Sequence, residues 1–175
     1  MSDPVVQLIV SPNEPWVSTD ILLAEGDRIR ITAVADGKYA DKGLACDANG
    51  PLGKKGRLFD RWFRNPGPLS PIRWTPGFGA IRHLRVLQDR DGRRASFLTL
   101  IAAIGRDDAE SNVRVVGSGA DLIAHRAGPL FLFANDWPGG VGEKDDARFF
   151  DADGHLSKTY SNNEGSLSVT IERLA

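Results

Sequence analysis

Residues 166–172, Ser-Leu-Ser-Val-Thr-Ile-Glu, alternate strictly between polar and apolar side chains. Successive strand residues point to opposite faces, so Leu167, Val169 and Ile171 share one face and leave hydroxyls and charge on the other. That is the pattern of a half-buried antiparallel strand. Residues 129–134, Pro-Leu-Phe-Leu-Phe-Ala, are instead continuously apolar, too short for an isolated helix and rich in aromatics. They read as a strand buried on both faces. Shorter apolar or alternating runs at 5–10, 16–23, 28–35, 97–104, 113–116 and 121–126 read as further strands, with the tight turn at 24–27 making a hairpin of the second and third. Helical periodicity is nearly absent, and 19 Gly and 10 Pro supply the turns that many short strands need. The expected fold class is all-β.

At 175 residues the chain has the length of one domain, 1–175, with room for a real core. A 41% hydrophobic and 26% charged composition is that of a soluble globular chain. The net charge of -1 supplies no chain-wide field toward nucleic acid or an anionic membrane. The single cysteine, Cys46, excludes an internal disulfide framework. No apolar run approaches membrane-spanning length, so no membrane insertion is expected. Met1-Ser2-Asp3-Pro4 lacks a basic n-region, and 5–10 is too short for a signal-peptide core. The expected location is cytoplasmic, or exported without a cleaved signal peptide.

The polar residues between the two C-terminal strands carry the chemistry. Asn135 and Asp136 follow the first strand, and Thr159-Tyr160-Ser161-Asn162-Asn163-Glu164-Gly165 precede the second. Asn162 and Asn163 converge on one point only if the backbone there is irregular, which Asn tolerates and Gly165 accommodates. A carboxylate, two amide oxygens and loop carbonyls are hard oxygen ligands of the kind Ca²⁺ takes.

An Asn-Asp pair after an apolar strand, followed by Thr159-Tyr160-Ser161-Asn162-Asn163-Glu164-Gly165-Ser166-Leu167-Ser168-Val169, resembles the calcium-binding end of the LecA-type (PA-IL-like) galactose-binding lectins. In that family the loop runs from an Asn-Asp pair to Thr-Tyr-Gly-Asn-Asn-Ser-Gly-Ser and into the last strand. The resemblance extends more weakly to 16–39, 97–105 and 115–134, where Ile104-Gly105 and Gly117-Ser118-Gly119 sit in the places of the family's Ile-Gly ending and Gly-Ser turn. It implies an antiparallel β-sandwich of jelly-roll, galactose-binding-domain-like type. It also implies a Ca²⁺ held by the Tyr39 carbonyl, the Asp136 carboxylate, the Thr159 carbonyl and the side-chain oxygens of Asn162 and Asn163. Read from the residues alone, Tyr39 is better explained as an aromatic packed on a sandwich edge. Sugar contacts would come from Asp136, Trp137, Thr159, Asn162 and Asn163, with Trp137 offering an apolar surface.

Two stretches depart from the family. Residues 44–96 hold half of the chain's 22 Lys and Arg, interleaved with Phe59, Trp62, Phe63, Trp74 and Phe78. Basic side chains with stacking aromatics can line a single-stranded nucleic-acid groove. They equally describe a surface insertion in which Arg stems cover aromatic faces, and no RNA-binding signature is present. Nucleic acid is therefore the minor reading. The family's sugar-contacting His-Pro-x-Gln segment has no counterpart in 44–69. Residues 138–158 form a second insertion, rich in Gly and Asp, that separates Asp136 from Thr159 and could fold against the first through pairs such as Arg57 or Arg61 with Asp145, Asp146 or Asp151.

Three segments share a D-x-(D/N)-G form: Asp47-Ala48-Asn49-Gly50, Asp89-Arg90-Asp91-Gly92 and Asp151-Ala152-Asp153-Gly154. None continues to the distant Glu of an EF-hand, and Asn-Gly and Asp-Gly are strong hairpin dipeptides, so they read as turns. His83, His125 and His155 are scattered without metal-ligand spacing. No nucleophile, phosphate-loop or dinucleotide motif is present.

The expected function is non-catalytic, calcium-dependent binding of a saccharide or glycoconjugate, galactose-type first, by a protein that gains avidity as a homo-oligomer. Two other classes stay open: a β-sandwich interaction module docking a partner through 44–96, and a glycoside hydrolase using the carboxylates of 138–158.

Overall fold

The computed structural model describes residues 5–41, 43–54, 56, 86, 88–109, 111–136, 155 and 161–175. Twelve strands run through these residues, and every paired neighbour is antiparallel. One sheet has the order β1 (Val5–Val10), β12 (Leu167–Leu174), β3 (Arg28–Ala35), β9 (Gly119–Ile123). A second has the order β2 (Val17–Leu23), β10 (Gly128–Ala134), β7 (Leu100–Ile104), β8 (Val113–Val115). The alternating residues do what their period dictates: Ile29, Ile31, Leu167, Val169 and Ile171 from the first sheet meet Val17, Leu23, Leu130, Leu132 and Ala102 from the second in one core. The fold is an all-β sandwich.

The continuously apolar run at 129–134 is explained by a second, smaller core on the outer face of the β2–β10–β7–β8 sheet. There Phe133, Ile101, Ala103 and Val113 pack with Val86, Ala95 and Trp16, and Trp16 meets Phe133 edge-on at 5.1 Å. β10 and β7 are thus covered on both faces, as their composition requires.

The hairpin expected around 24–27 does not form. β2 pairs with β10 in one sheet, while β3 pairs with β12 and β9 in the other. The turn crosses the sandwich because both flanking strands need their apolar faces in the same core. Asp27 holds it by accepting the Ala24 N–H at 2.9 Å, and Gly26 and Asp27 exchange backbone hydrogen bonds with Ala124. The run at 97–104 is also shortened: Leu98 adopts φ 54° and the strand begins only at Leu100.

A third, small sheet caps one end of the sandwich. Its order is β11 (Asn163–Glu164), β4 (Ala40–Asp41), β5 (Leu44–Asp47), β6 (Gly50–Pro51). The first strands of the 44–96 stretch therefore belong to the folded body, and Asp47–Gly50 is a hairpin turn as its composition suggests. Residues 57–85 and the greater part of 137–160 lie outside the described residues, including Arg57, Arg61, Asp145, Asp146 and Asp151 of the expected contact between insertions. Among the described residues no helix is long and apolar enough to cross a membrane.

Candidate functional site

The end of the sandwich at which β1, β3 and β10 finish and β12 begins gathers the expected polar residues. β10 ends in two consecutive residues whose side chains diverge, as strand geometry demands. Asn135 is fully buried and its amide is fully occupied: Oδ1 accepts the Val86 N–H at 2.9 Å, and Nδ2 donates to the carbonyls of Val86 at 2.8 Å and Ser96 at 2.9 Å. Asn135 is thus a brace between the 86–99 segment and β10. Asp136, buried to 2% exposure, faces the other way, and its Oδ2 accepts a hydrogen bond from Asn163 Nδ2 at 2.8 Å.

Before β12 the backbone is irregular, as the two adjacent asparagines require: Ser161 and Asn162 form a turn, and Asn163 and Glu164 make the short β11. Gly165 then reverses the chain at φ 76°. A methyl group at 165 would land on the backbone of Lys38 and Tyr39 and 2.7 Å from Asp36 Oδ1. The loop after β3 therefore lies directly against the turn into β12, an approach only glycine permits. Asp36 secures it: Oδ1 accepts the Lys38 N–H at 2.8 Å, Oδ2 accepts the Ser166 hydroxyl at 3.2 Å, and its own N–H donates to the Ser166 carbonyl. These bonds, the Lys38 amide first, hold the Asp36 carboxyl below its ordinary pKa.

Tyr39 is an aromatic packed in the core of the sandwich. Its ring is buried and its hydroxyl donates to the Leu98 carbonyl at 2.9 Å. Its carbonyl accepts the Cys46 N–H at 2.9 Å. β4, immediately after Tyr39, pairs Asp41 with Asn163 and so places the two side chains on one face of the ladder.

Asn163 is the centre of this network. Its Nδ2 donates to Asp136 Oδ2 and, at 3.2 Å, to the Pro12 carbonyl. Both amide hydrogens being used, the atom left to present is Oδ1, which is buried and accepts no hydrogen bond among the described residues. The Oδ1 atoms of Asn162 and Asn13 are in the same condition. Asn13, in the loop between β1 and β2, was not singled out by sequence reasoning. Its Nδ2 donates to the Asn163 carbonyl at 3.1 Å, so Asn13 and Asn163 clasp each other's chain across 150 positions. The sequence signal was present only as a turn-forming Pro-Asn pair, which says nothing about what lies 150 residues on.

Burying an amide oxygen without a partner costs about 1–3 kcal/mol, and such atoms in a native fold call for an ion, a water or a role. Asn163 carries one of them and bonds the buried Asp136 carboxylate, while Asn13 and Asn162 carry the others in the segments that adjoin it; amide and carboxylate oxygens are the kinds that suit a hard cation. Of the expected site residues, the fold brings Asp136 and Asn163 into hydrogen-bond contact, sets Asn162 in the turn just before Asn163 and places Tyr39 in the adjoining loop; Thr159 and Trp137 lie outside the described residues. Among those residues no three His, Cys, Asp or Glu side chains come together; the oxygens gathered here are chiefly amide and backbone ones.

No protein-family model matches the chain, and no curated protein matches it. Among solved structures it is similar to the N-terminal domain of EclA, a PllA-like lectin, with a TM-score of 0.51 and 15% identity over 96% of this chain and 95% of that one. The protein therefore has the fold of a lectin-like β-sandwich.

Proposed function

We propose that the protein is a non-catalytic, calcium-dependent carbohydrate-binding protein. The observation that carries this reading is the buried Asp136 carboxylate bonded to Asn163, whose Oδ1, like that of the adjacent Asn162, is buried and accepts no hydrogen bond among the described residues. The similarity to a PllA-like lectin fold supports it. The residues fit the ion. Calcium takes about six to eight hard oxygens from carboxylates, amide and backbone carbonyls, and this site offers all three kinds. Asp136, Asn162 and Asn163 would hold it with their side chains, and Tyr39 and Thr159 with their backbone carbonyls.

Bound there, calcium supplies open coordination positions for a vicinal pair of sugar hydroxyls, which are poor ligands in water until a preorganised cation offsets their dehydration. The chain's own residues do the rest. Asn163 Nδ2, held by Asp136 and Pro12, fixes which amide atom faces the ion. Asp136 and Asn162 accept hydrogen bonds from the hydroxyls, and Trp137 gives a flat apolar surface for a pyranose C–H face. Galactose-type sugars, with their neighbouring hydroxyls, are the first ligands to test. Such single sites bind weakly, so the functional form is a homo-oligomer that gains avidity.

A glycan array probed with and without chelator tests the reading. Binding that requires Ca²⁺ and a vicinal diol is expected. Glycans retained equally in excess chelator would show that sugar is held without the ion.

A further inference from the structure

The turn at 89–92 is not absorbed by the carbohydrate site, and it is built with care. Asp89 is 4% exposed, and its carboxylate is occupied within the fold. Oδ1 accepts the N–H groups of Asp91 at 2.9 Å and Arg93 at 2.8 Å, and Oδ2 accepts the Val115 N–H at 2.9 Å. With the Gln88–Arg94 bridge closing it, the turn is pinned to the end of β8. Three of the Asp89 carboxylate's roughly four lone-pair sites are thus committed to backbone N–H groups, and the D-x-D-G segment acts as a braced turn that carries the arginines beside it.

Those arginines face a cleft of about 390 Å³ between the turn and the edges of β8 and β9, lined by Arg90, Asp91, Arg93, Arg114, Asp121 and His125 with two apolar residues of β9. The two carboxylates on its wall are already paired. Asp121 is gripped by both arms of Arg30, at 2.7 and 2.9 Å, and Asp91 lies 3.3 Å from Arg114 Nε. Arg114 is only 11% exposed, and its Nη1 donates to the Val113 carbonyl at 2.9 Å. Arg90 and Arg93 have no ion pair among the described residues. His125, on the cleft wall, is held below its ordinary pKa by burial first and then by the guanidiniums of Arg114, Arg90 and Arg126, against a smaller opposing pull from Glu25. The interior of the cleft is therefore electropositive.

We propose that this cleft binds a tetrahedral oxyanion group, a phosphate or a sulfate, between Arg90 and Arg93 with Arg114 behind them. A guanidinium fork matches two oxygens of such a group. A carboxylate has only two oxygens and fills one fork; a phosphate or sulfate has enough to bridge two guanidiniums that approach from different sides. The cleft also has room for the remainder of a sugar ester. The site is independent of the carbohydrate site. Asp121 and Ile123 pair with Arg30 and Arg28 at the start of β3, whereas Asp36 and Tyr39 follow its far end.

The test is an amide and arginine side-chain NMR titration of the full chain in excess chelator, which removes any calcium-bridged binding from the readout. Inorganic phosphate and sulfate are compared with chloride at matched ionic strength. The expected result is saturable shifts confined to the 89–93 turn, Arg114 and 121–125, produced by the oxyanions and not by chloride. Arg90 and Arg93 are exposed, so the double variant Arg90→Ala/Arg93→Ala stays folded; it should bind about tenfold more weakly or worse, since charge-assisted contacts are individually worth that much. Lysine at both positions should recover part of the affinity, the charge being kept and the fork lost. A galactose sulfate is run beside galactose: tighter binding than inorganic sulfate identifies an esterified saccharide as the source, and no gain over the free ion identifies the inorganic anion. Shifts that chloride reproduces, or that persist unchanged in the double alanine variant, overturn the proposal.

Discussion

Asn163 shows how one side chain converts a fold into a site. Its two amide hydrogens are committed to Asp136 and Pro12, which leaves its oxygen no choice of direction. The neighbouring Asn135 looks equivalent in sequence yet is wholly occupied by backbone groups of Val86 and Ser96. Strand alternation turns the side chains of Asn135 and Asp136 to opposite sides. It could not reveal Asn13, because a contact between residues 13 and 163 leaves no local signature. Asn13→Ala removes the donor that holds the Asn163 carbonyl. The expected outcome is a small loss of metal-free stability, on the order of 1 kcal/mol, with Ca²⁺ half-saturation weakened roughly threefold to tenfold by luminescence titration with terbium as the probe. An unchanged terbium affinity would reduce Asn13 to a loop brace.

At the level of elements, the strands with a strong period were legible and their partners were not. The runs at 5–10, 28–35 and 129–134 fall on β1, β3 and β10 almost to the residue. The hairpin at 24–27 was misassigned because a tight turn between two amphipathic strands is compatible with either one sheet or two; the choice depends on what each strand meets in the core. The third sheet was not legible because three of its four strands have two residues and the other has four, too few to show a period. That sheet nevertheless carries β11, and its seat depends on Gly165. Gly165→Ala combines a left-handed φ with a backbone collision and should cost at least about 2 kcal/mol, read as a lower denaturation midpoint together with loss of the Ca²⁺ response. Asp36 gives the same junction a pH dependence. Its folded pKa is depressed, so its contribution is present above the ordinary carboxylate range and is lost as pH falls through the lower, folded value. The difference in melting temperature between the protein and Asp36→Asn should be evident near neutrality and close in acid. A gap that persists in acid would mean that the Asn side chain strains the loop for another reason.

For the molecule as a whole, composition and alternation were sufficient for the all-β class, while the sandwich, and which end of it to inspect, came from the resemblance around 159–169. The cleft beside the 89–92 turn was not legible, since Asp89 pins the turn to the end of β8 and the opposite wall is β9, about thirty residues on in the chain. The two sites have distinct thermodynamic signatures. A cation bound only by the native state stabilises it by mass action, about 2.7 kcal/mol at a free concentration one hundred times Kd. For a chain of this size that is a rise in melting temperature of roughly 5–10 °C. Asp136→Asn removes the buried negative charge at the oxygen cluster and should abolish most of the rise. The Arg90→Ala/Arg93→Ala variant should keep it whole, because its substitutions touch no residue of that cluster and separated sites add independently. An Asp136→Asn protein that still gains the full rise would place calcium elsewhere, and a loss of the rise in the arginine variant would mean that the two ends of the sandwich are coupled.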